Sequence, residues 1–230
     1  MFVMPRIVKS IFVRHANAER GIMAPGRKTE LALTGAKHAI KYGRKLAKEG
    51  VLVKHFSGPV KRVRETAAFI KASSERRRGK NYPVIRIRKE LRNVVVDKKK
   101  WDYYYDEVYK KDNSAAITAW LENKIPSDVR IRPSVAADAA IRGRLGLGAR
   151  IARKEGHDII LINNTHQDVM AAVFERLTGR TFKELYESKM PKSVEEMPFV
   201  FHPSGKVELT FRKQSFDVTT KVNEILRKTR

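Results

Sequence analysis

Short apolar, β-branched runs recur along this chain, and helix-like stretches separate them. Residues 7–13, 51–56, 84–87 and 159–162 are such runs. Their length and β-branching suit strands buried inside a sheet. Between them, Ala36, Ile40, Tyr42 and Leu46, then Val63, Ala67 and Ile70, recur at helical spacing. Strands that alternate with amphipathic helices imply an α/β fold. The expectation is a three-layer α/β/α sandwich, with a mostly parallel central sheet and helices on both faces.

Local signals place the remaining elements. Thr34 is expected to cap the first helix and Gly50 to end it. Ser57-Gly58-Pro59 reads as a turn, with Pro59 at a helix start. Residues 74–80 are basic and polar and read as an exposed loop. Residues 94–133 show little periodicity beyond a helical stretch at 115–121, and read as a helical excursion over the sheet. A helix is expected over 135–152 despite Gly143, Gly146 and Gly148. That order is G-x-x-G-x-G, not the dinucleotide fingerprint, and no strand precedes it, so a flexible or closely packed helix is the better account. Another helix is expected over 168–177. Residues 199–201 and 207–211 alternate around Pro203-Ser204-Gly205, which signals a hairpin. A last helix from Val218 turns Val222, Ile225 and Leu226 inward. With no linker-like segment, residues 1–230 read as a single domain.

Composition narrows the chemistry. The chain has no cysteine, which excludes disulfides, thiolate-bound zinc and thiol catalysis. No signal peptide is evident and no apolar run approaches a membrane span, so a cytoplasmic location without membrane contact is expected. Lys and Arg total 49 against 25 Asp and Glu, a formal net charge of +24. Such an excess attracts anions, whether a phosphorylated substrate or a nucleic acid. Tyr103, Tyr104 and Tyr105 are candidates for base stacking, with ordinary packing of the excursion as the favoured account.

Two apolar strands stop at a histidine: Ile11-Phe12-Val13-Arg14-His15 and Ile160-Leu161-Ile162-Asn163-Asn164-Thr165-His166. In open α/β sheets, ligands bind beyond the carboxyl ends of strands. Parallel strands would bring both histidines to that edge. Arg14 adjoins one of them, and Arg62 lies on the first turn of a helix that follows another strand. Histidine is a competent nucleophile when neutral and oriented, and arginine forks match phosphoryl oxygens.

The blocks around these residues resemble the histidine phosphatase superfamily, which includes cofactor-dependent phosphoglycerate mutases. Arg14-His15-Ala16 is similar to its Arg-His-Gly signature, and Leu33-Thr34-Gly35-Ala36-Lys37-His38-Ala39 to its Leu-Thr-x-x-Gly-x-x-Gln-Ala segment with the glycine displaced. The stretch Ser57-Gly58-Pro59-Val60-Lys61-Arg62-Val63-Arg64-Glu65-Thr66-Ala67 resembles its Ser-Ser-Pro-Leu-x-Arg-Ala-x-Gln-Thr-Ala. Thr165-His166-Gln167-Asp168 resembles its Thr-His-Gly-Asp. The resemblance implies a nucleophile at His15, with Arg14, Arg62 and His166 holding phosphoryl oxygens. Asn17 and the backbone near Gln167 would add polar contacts, and neither metal nor cofactor would be needed.

Two departures refine the expectation. Ala16 stands where glycine is usual, as in the Arg-His-Ala form of bacterial phosphohistidine phosphatases. Many relatives also carry a Glu proton donor in a Leu-x-Glu context, where Leu91-Arg92-Asn93 places an amide. An amide cannot protonate an alkoxide leaving group. Glu90, Asp97, Asp106 and Asp168 are the substitute acids at hand. The expected activity is a phosphatase working through phosphohistidine at His15, on phosphohistidine or a small phosphoester. The alternative is a non-enzymatic module of the same fold that binds RNA or ribosomes through its basic surface.

Overall fold

A computed structural model describes residues 7–16, 31–77, 79–92, 94–154, 158–181 and 193–228. Their strands form a seven-stranded sheet in the order β3-β2-β4-β1-β5-β6-β7. Strands β1 (Val8–Arg14), β2 (Leu52–Ser57), β3 (Asn81–Ile87) and β4 (Ile159–Thr165) pair in parallel. Strands β5 (Glu196–Phe201), β6 (Val207–Phe211) and β7 (Gln214–Asp217) extend the β1 edge in antiparallel fashion. The sheet is therefore mixed, and its parallel half carries the strands that end in histidine.

Burial along each strand explains its place. Every residue of β4 is buried, as a central strand covered on both faces requires. Strands β5 and β6 alternate buried and part-exposed residues, the pattern of a sheet with one wet face. Pro83 lacks an N–H and is tolerated because β3 is an edge strand.

Helical layers lie on both faces, as the sequence implied. On one face, α1 (Leu33–Ala47) and α2 (Lys61–Glu75) set Ala39, Tyr42, Leu46 and Ile70 against Ile11, Val13, Val53, Ile160 and Ile162. On the other, Phe12, Phe56, Leu161 and Phe199 meet α4 (Asn113–Leu121), α5 (Pro133–Ala140), α6 (Gly146–Lys154), α7 (Gln167–Thr178) and α8 (Thr219–Arg227). Helix α3 (Lys98–Tyr103) runs into a π-helical stretch, Tyr104–Val108, before α4. Asp97 caps α3 and Asp112 caps α4, each accepting backbone N–H bonds. Trp120 anchors this excursion: its ring is fully buried and Nε1 donates to the Ile131 carbonyl at 2.7 Å. Tyr104 packs on the core and Tyr105 lies 5.9 Å from Trp101 between ring centres, while Tyr103 is exposed.

The glycines of the 135–152 helix serve close packing. Another π-helical stretch, Ile141–Leu145, joins α5 to α6. A Cβ on Gly148 would stand 2.6 Å from the Phe201 ring, and one on Gly143 would stand 2.6 Å from Glu90 Oε1. A side chain at Gly148 would force the Phe201 ring of β5 to move, and one at Gly143 would displace the Glu90 carboxylate.

Two local expectations differ from the structure, and one strand was not expected. Thr34 does not cap α1: the helix begins at Leu33 and Ala32 holds the cap position, its carbonyl accepting from Ala36 at 2.9 Å. The stretch 74–80 is not wholly a loop, because α2 continues to Glu75 and Ser74 is fully buried. Its serines satisfy themselves locally, Ser73 donating to the Phe69 carbonyl and Ser74 accepting from Asn81, so polar residues go inside at little cost. Strand β7 had no signature. Its turn is Arg212-Lys213, both at positive φ (43° and 67°), without the Asn or Gly that usually marks such a hairpin.

Candidate active site

The parallel register builds the site. Arg14 pairs with Thr165, and the His15 N–H donates to the Thr165 carbonyl at 2.8 Å. His15 and His166 therefore leave the sheet side by side, with ring centres 5.0 Å apart and planes at 70°. Strand β2 lies on the far side of β4, and the Gly58 N–H continues that pairing to the Asn164 carbonyl at 3.0 Å. The chain then turns through Pro59 into α2, whose first turn carries Arg62. Arg62 bridges the two histidines: Nε donates to His15 Nε2 at 3.3 Å, and Nη2 reaches His166 Nδ1 at 3.5 Å.

Hydrogen bonds define the tautomers. His15 Nδ1 lies 2.7 Å from the Ala16 carbonyl, which can only accept. The proton is therefore on Nδ1, and the Nε2 lone pair faces Arg62. At His166, Arg62 donates toward Nδ1, which places the proton on Nε2. That nitrogen is buried and has no hydrogen-bond partner among the described residues. Thr66 fastens the strand end to α2, accepting from the Ala16 N–H at 3.1 Å and donating to the Arg62 carbonyl at 2.8 Å.

The site gathers more positive charge than it can solvate. Burial, then the His166 ring and Arg62, push the His15 pKa well below the usual histidine range. Burial, then Arg62, Arg130 and Arg14, do the same to His166. Both rings are neutral at pH 7. Burial lowers Arg62 as well, partly offset by Asp168. Arg14 falls to about 10 through burial, opposed by Glu195 and reinforced by Arg62. Desolvated cations beside neutral imidazoles favour a bound anion. No group of three His, Cys, Asp or Glu side chains suited to a metal occurs among the described residues.

The structure thus brings His15, Arg62 and His166 into contact, and Arg14 into their electrostatic field. Gln167 is buried at the first position of α7, where the helix N-terminus favours negative charge. Asn17 and Asn93 lie outside the described residues. Of the substitute acids, Glu90 is engaged by Arg144 at 2.7 Å, Asp97 caps α3, and Asp168 is paired with Arg130. Asp106 lies in the π-helical stretch after α3. Sequence reasoning did not single out Thr66 as a brace, although it sits in a recognised block, and missed Arg130, which no local pattern marks. No described helix is long and apolar enough to cross a membrane.

The depressed histidines make stability pH-dependent. His55, buried in β2, donates from Nε2 to Asn81 at 2.6 Å, and burial lowers its pKa to about 4. The unfolded chain takes up protons near pH 6.5 where the native state does not, so stability falls as pH drops from about 6.5 toward 4. His55 alone contributes roughly 3 kcal/mol to that loss, at about 1.36 kcal/mol per pH unit. Melting temperatures measured from pH 7.5 to 4 are expected to decline, with a shallower slope for His55→Gln. A flat profile would contradict the buried, neutral state of these rings.

A neutral histidine with its ring lone pair beside an arginine, at the carboxyl edge of an α/β sheet, is a setting that suits a phosphoryl group. The chain belongs to the histidine phosphatase superfamily (branch 1), whose sequence profile matches residues 10–206. Phosphoester chemistry in general goes with that membership. Similar solved structures include Bacillus anthracis phosphoglycerate mutase, with 16% identity, TM-score 0.60, and 96% of this chain and 97% of that one covered. A mycobacterial glucosyl-3-phosphoglycerate phosphatase shares 15% identity at TM-score 0.56, with 86% and 92% covered. An Entamoeba histolytica phosphoserine phosphatase variant bound to phosphoserine shares 14% at 0.55, with 93% and 98% covered. At such identities these likenesses carry the fold. No curated protein matches the chain in sequence.

Proposed function

We propose that this protein is a phosphatase that acts in two steps through a phosphohistidine on His15. His15 Nε2 attacks phosphorus while the bond to the leaving group breaks, and water then cleaves the P–N bond to release phosphate. The Arg62 bridge between His15 Nε2 and His166 carries this reading, because it sets a cation and two neutral imidazoles around one point. The unpartnered Nε2–H of His166 is a ready donor to a phosphoryl oxygen. Arg14 and the N-terminus of α7 at Gln167 add positive potential, and Asn17 adds a polar contact.

The substrate class follows from the leaving group. An alkoxide needs a proton in the transition state, and a general acid contributes about 10²–10⁴-fold. Asn93 stands where many relatives have Glu, and Glu90 and Asp168 are engaged in ion pairs. Phosphohistidine and aryl phosphates, whose leaving groups need less help, are the preferred substrates on this reading, ahead of alkyl esters such as phosphoglycerate. The packing of Tyr104 and Tyr105 within the excursion gives the RNA-binding alternative no separate support. Rapid quench with a labelled aryl phosphate is expected to trap acid-labile, base-stable phosphate on the protein. Aryl turnover should exceed alkyl turnover by about 10²-fold or more, and Asn93→Glu should raise the alkyl rate more than the aryl rate. Strong native activity on alkyl esters would refute the leaving-group preference, and an absent phosphoenzyme would refute the mechanism.

A further inference from the structure

Behind the candidate site lies a buried ion pair that the proposed reaction does not use. Arg130, at 2% exposure, donates from Nη2 to Asp168 Oδ2 across 38 positions of sequence. The other oxygen, Oδ1, accepts the Val169 N–H at 2.9 Å. The guanidinium carbon stands 4.4 Å from the Trp101 ring centre and 4.6 Å from that of Trp120. Two indoles therefore hold the cation, and the backbone of the excursion fixes it: Val95 and Arg130 form a β-bridge, and Ile131 donates to the Val94 carbonyl.

The position of Asp168 gives this pair its importance. It sits two residues after His166, in the first turn of α7, and is itself buried. Its charge acts on both Arg14 and Arg62, the cations proposed to hold the phosphoryl group. An uncompensated carboxylate there would cancel part of their field and repel an incoming anion. A buried charge that loses its partner retains its full desolvation penalty and seeks another cation.

We infer that Arg130 is a positioning residue that acts through Asp168: by engaging and neutralising this carboxylate, it reserves the positive field of Arg14 and Arg62 for the phosphoryl group. The inference rests on the phosphatase reading. It also assigns the helical excursion a task, since Trp101, Trp120 and Arg130 all belong to it. A second effect follows from the same contact: Arg130 adds its positive charge to the surroundings of His166 and helps keep that ring neutral.

The test is a charge cycle read by inorganic phosphate binding, KM and melting temperature. Arg130→Met is expected to weaken phosphate binding by about tenfold or more and to raise KM more than it lowers kcat. Asp168→Asn removes the competing anion, so phosphate should bind it no more weakly than the unaltered protein. The double variant Arg130→Met/Asp168→Asn removes both charges, avoids a lone buried ion, and should recover affinity to within about threefold. It also serves if Arg130→Met alone fails to fold. The acid limb of the kcat/KM profile should move to higher pH in Arg130→Met at an unchanged melting temperature, since a loosened fold would also raise the histidine pKa but would lower the melting temperature. A double variant that binds phosphate as weakly as Arg130→Met, or equal losses in both single variants, would overturn the inference alone. Failure of the unaltered protein to bind phosphate would overturn the phosphatase reading, and this inference with it.

Discussion

Replacing His15 with alanine is expected to remove both the phosphoenzyme and turnover, by roughly 10⁴–10⁶-fold in kcat. The size of the effect follows from the role: no other described imidazole offers a lone pair at that point. The His166 proton is on Nε2, the nitrogen proposed to donate to a phosphoryl oxygen, so that nitrogen has no lone pair with which to attack. The fold should survive, because His15 is neutral and its own side-chain bond runs to the adjacent Ala16 carbonyl. Removing a neutral ring buries no new charge, and Arg62 keeps its contact with His166. Circular dichroism and the melting temperature check that point, and quench-flow labelling checks the chemistry. A folded His15→Ala variant that keeps its label would place the nucleophile elsewhere.

Replacing Arg62 with alanine is expected to cost about 10³–10⁵-fold in kcat/KM, the scale of an arginine that stabilises transferring phosphoryl charge. Arg62 also orients both rings, so the loss should fall on kcat as well as on KM. Lysine should rescue little, because one ammonium cannot reach His15 and His166 together as a planar fork does. The pH profile supplies an independent readout. Arg62 holds down the pKa of both histidines, so its removal should shift the acid limb to higher pH. An unshifted limb with a small rate loss would leave Arg62 as one more surface cation on a basic protein.

Much of the candidate site was legible because the blocks that build it are local. Arg14-His15 and Thr165-His166 each end an apolar strand, and a parallel sheet necessarily sets such ends along one edge. Arg62 was readable for the same reason, one turn into the helix after β2. The glycines of the 135–152 helix pointed to flexibility or close packing, and the structure sets Phe201 against Gly148 and Glu90 against Gly143. Local legibility failed where a residue satisfied itself in ways composition does not display. Ser74 looked like loop and is core, because neighbouring groups meet its hydrogen bonds. Strand β7 looked like nothing, because its turn uses Arg212-Lys213 in a conformation that usually calls for Asn or Gly.

The sequence by itself determined the alternation of strands and helices, and hence the layered sheet and the edge on which the two histidines stand. It also set the superfamily, since the two histidines and their neighbouring arginines lie in short blocks whose local geometry positions them. Only the tertiary structure decided the proton positions on the two rings, the engagement of Glu90 by Arg144, and the pairing of Asp168 with Arg130. These are contacts in three dimensions. A carboxylate's role depends on which cation folding brings to it, and the 38 residues between Arg130 and Asp168 carry no periodic or local signal of their meeting. Apolar periodicity is written along the chain, whereas the compensation of a buried charge is settled only when distant segments pack.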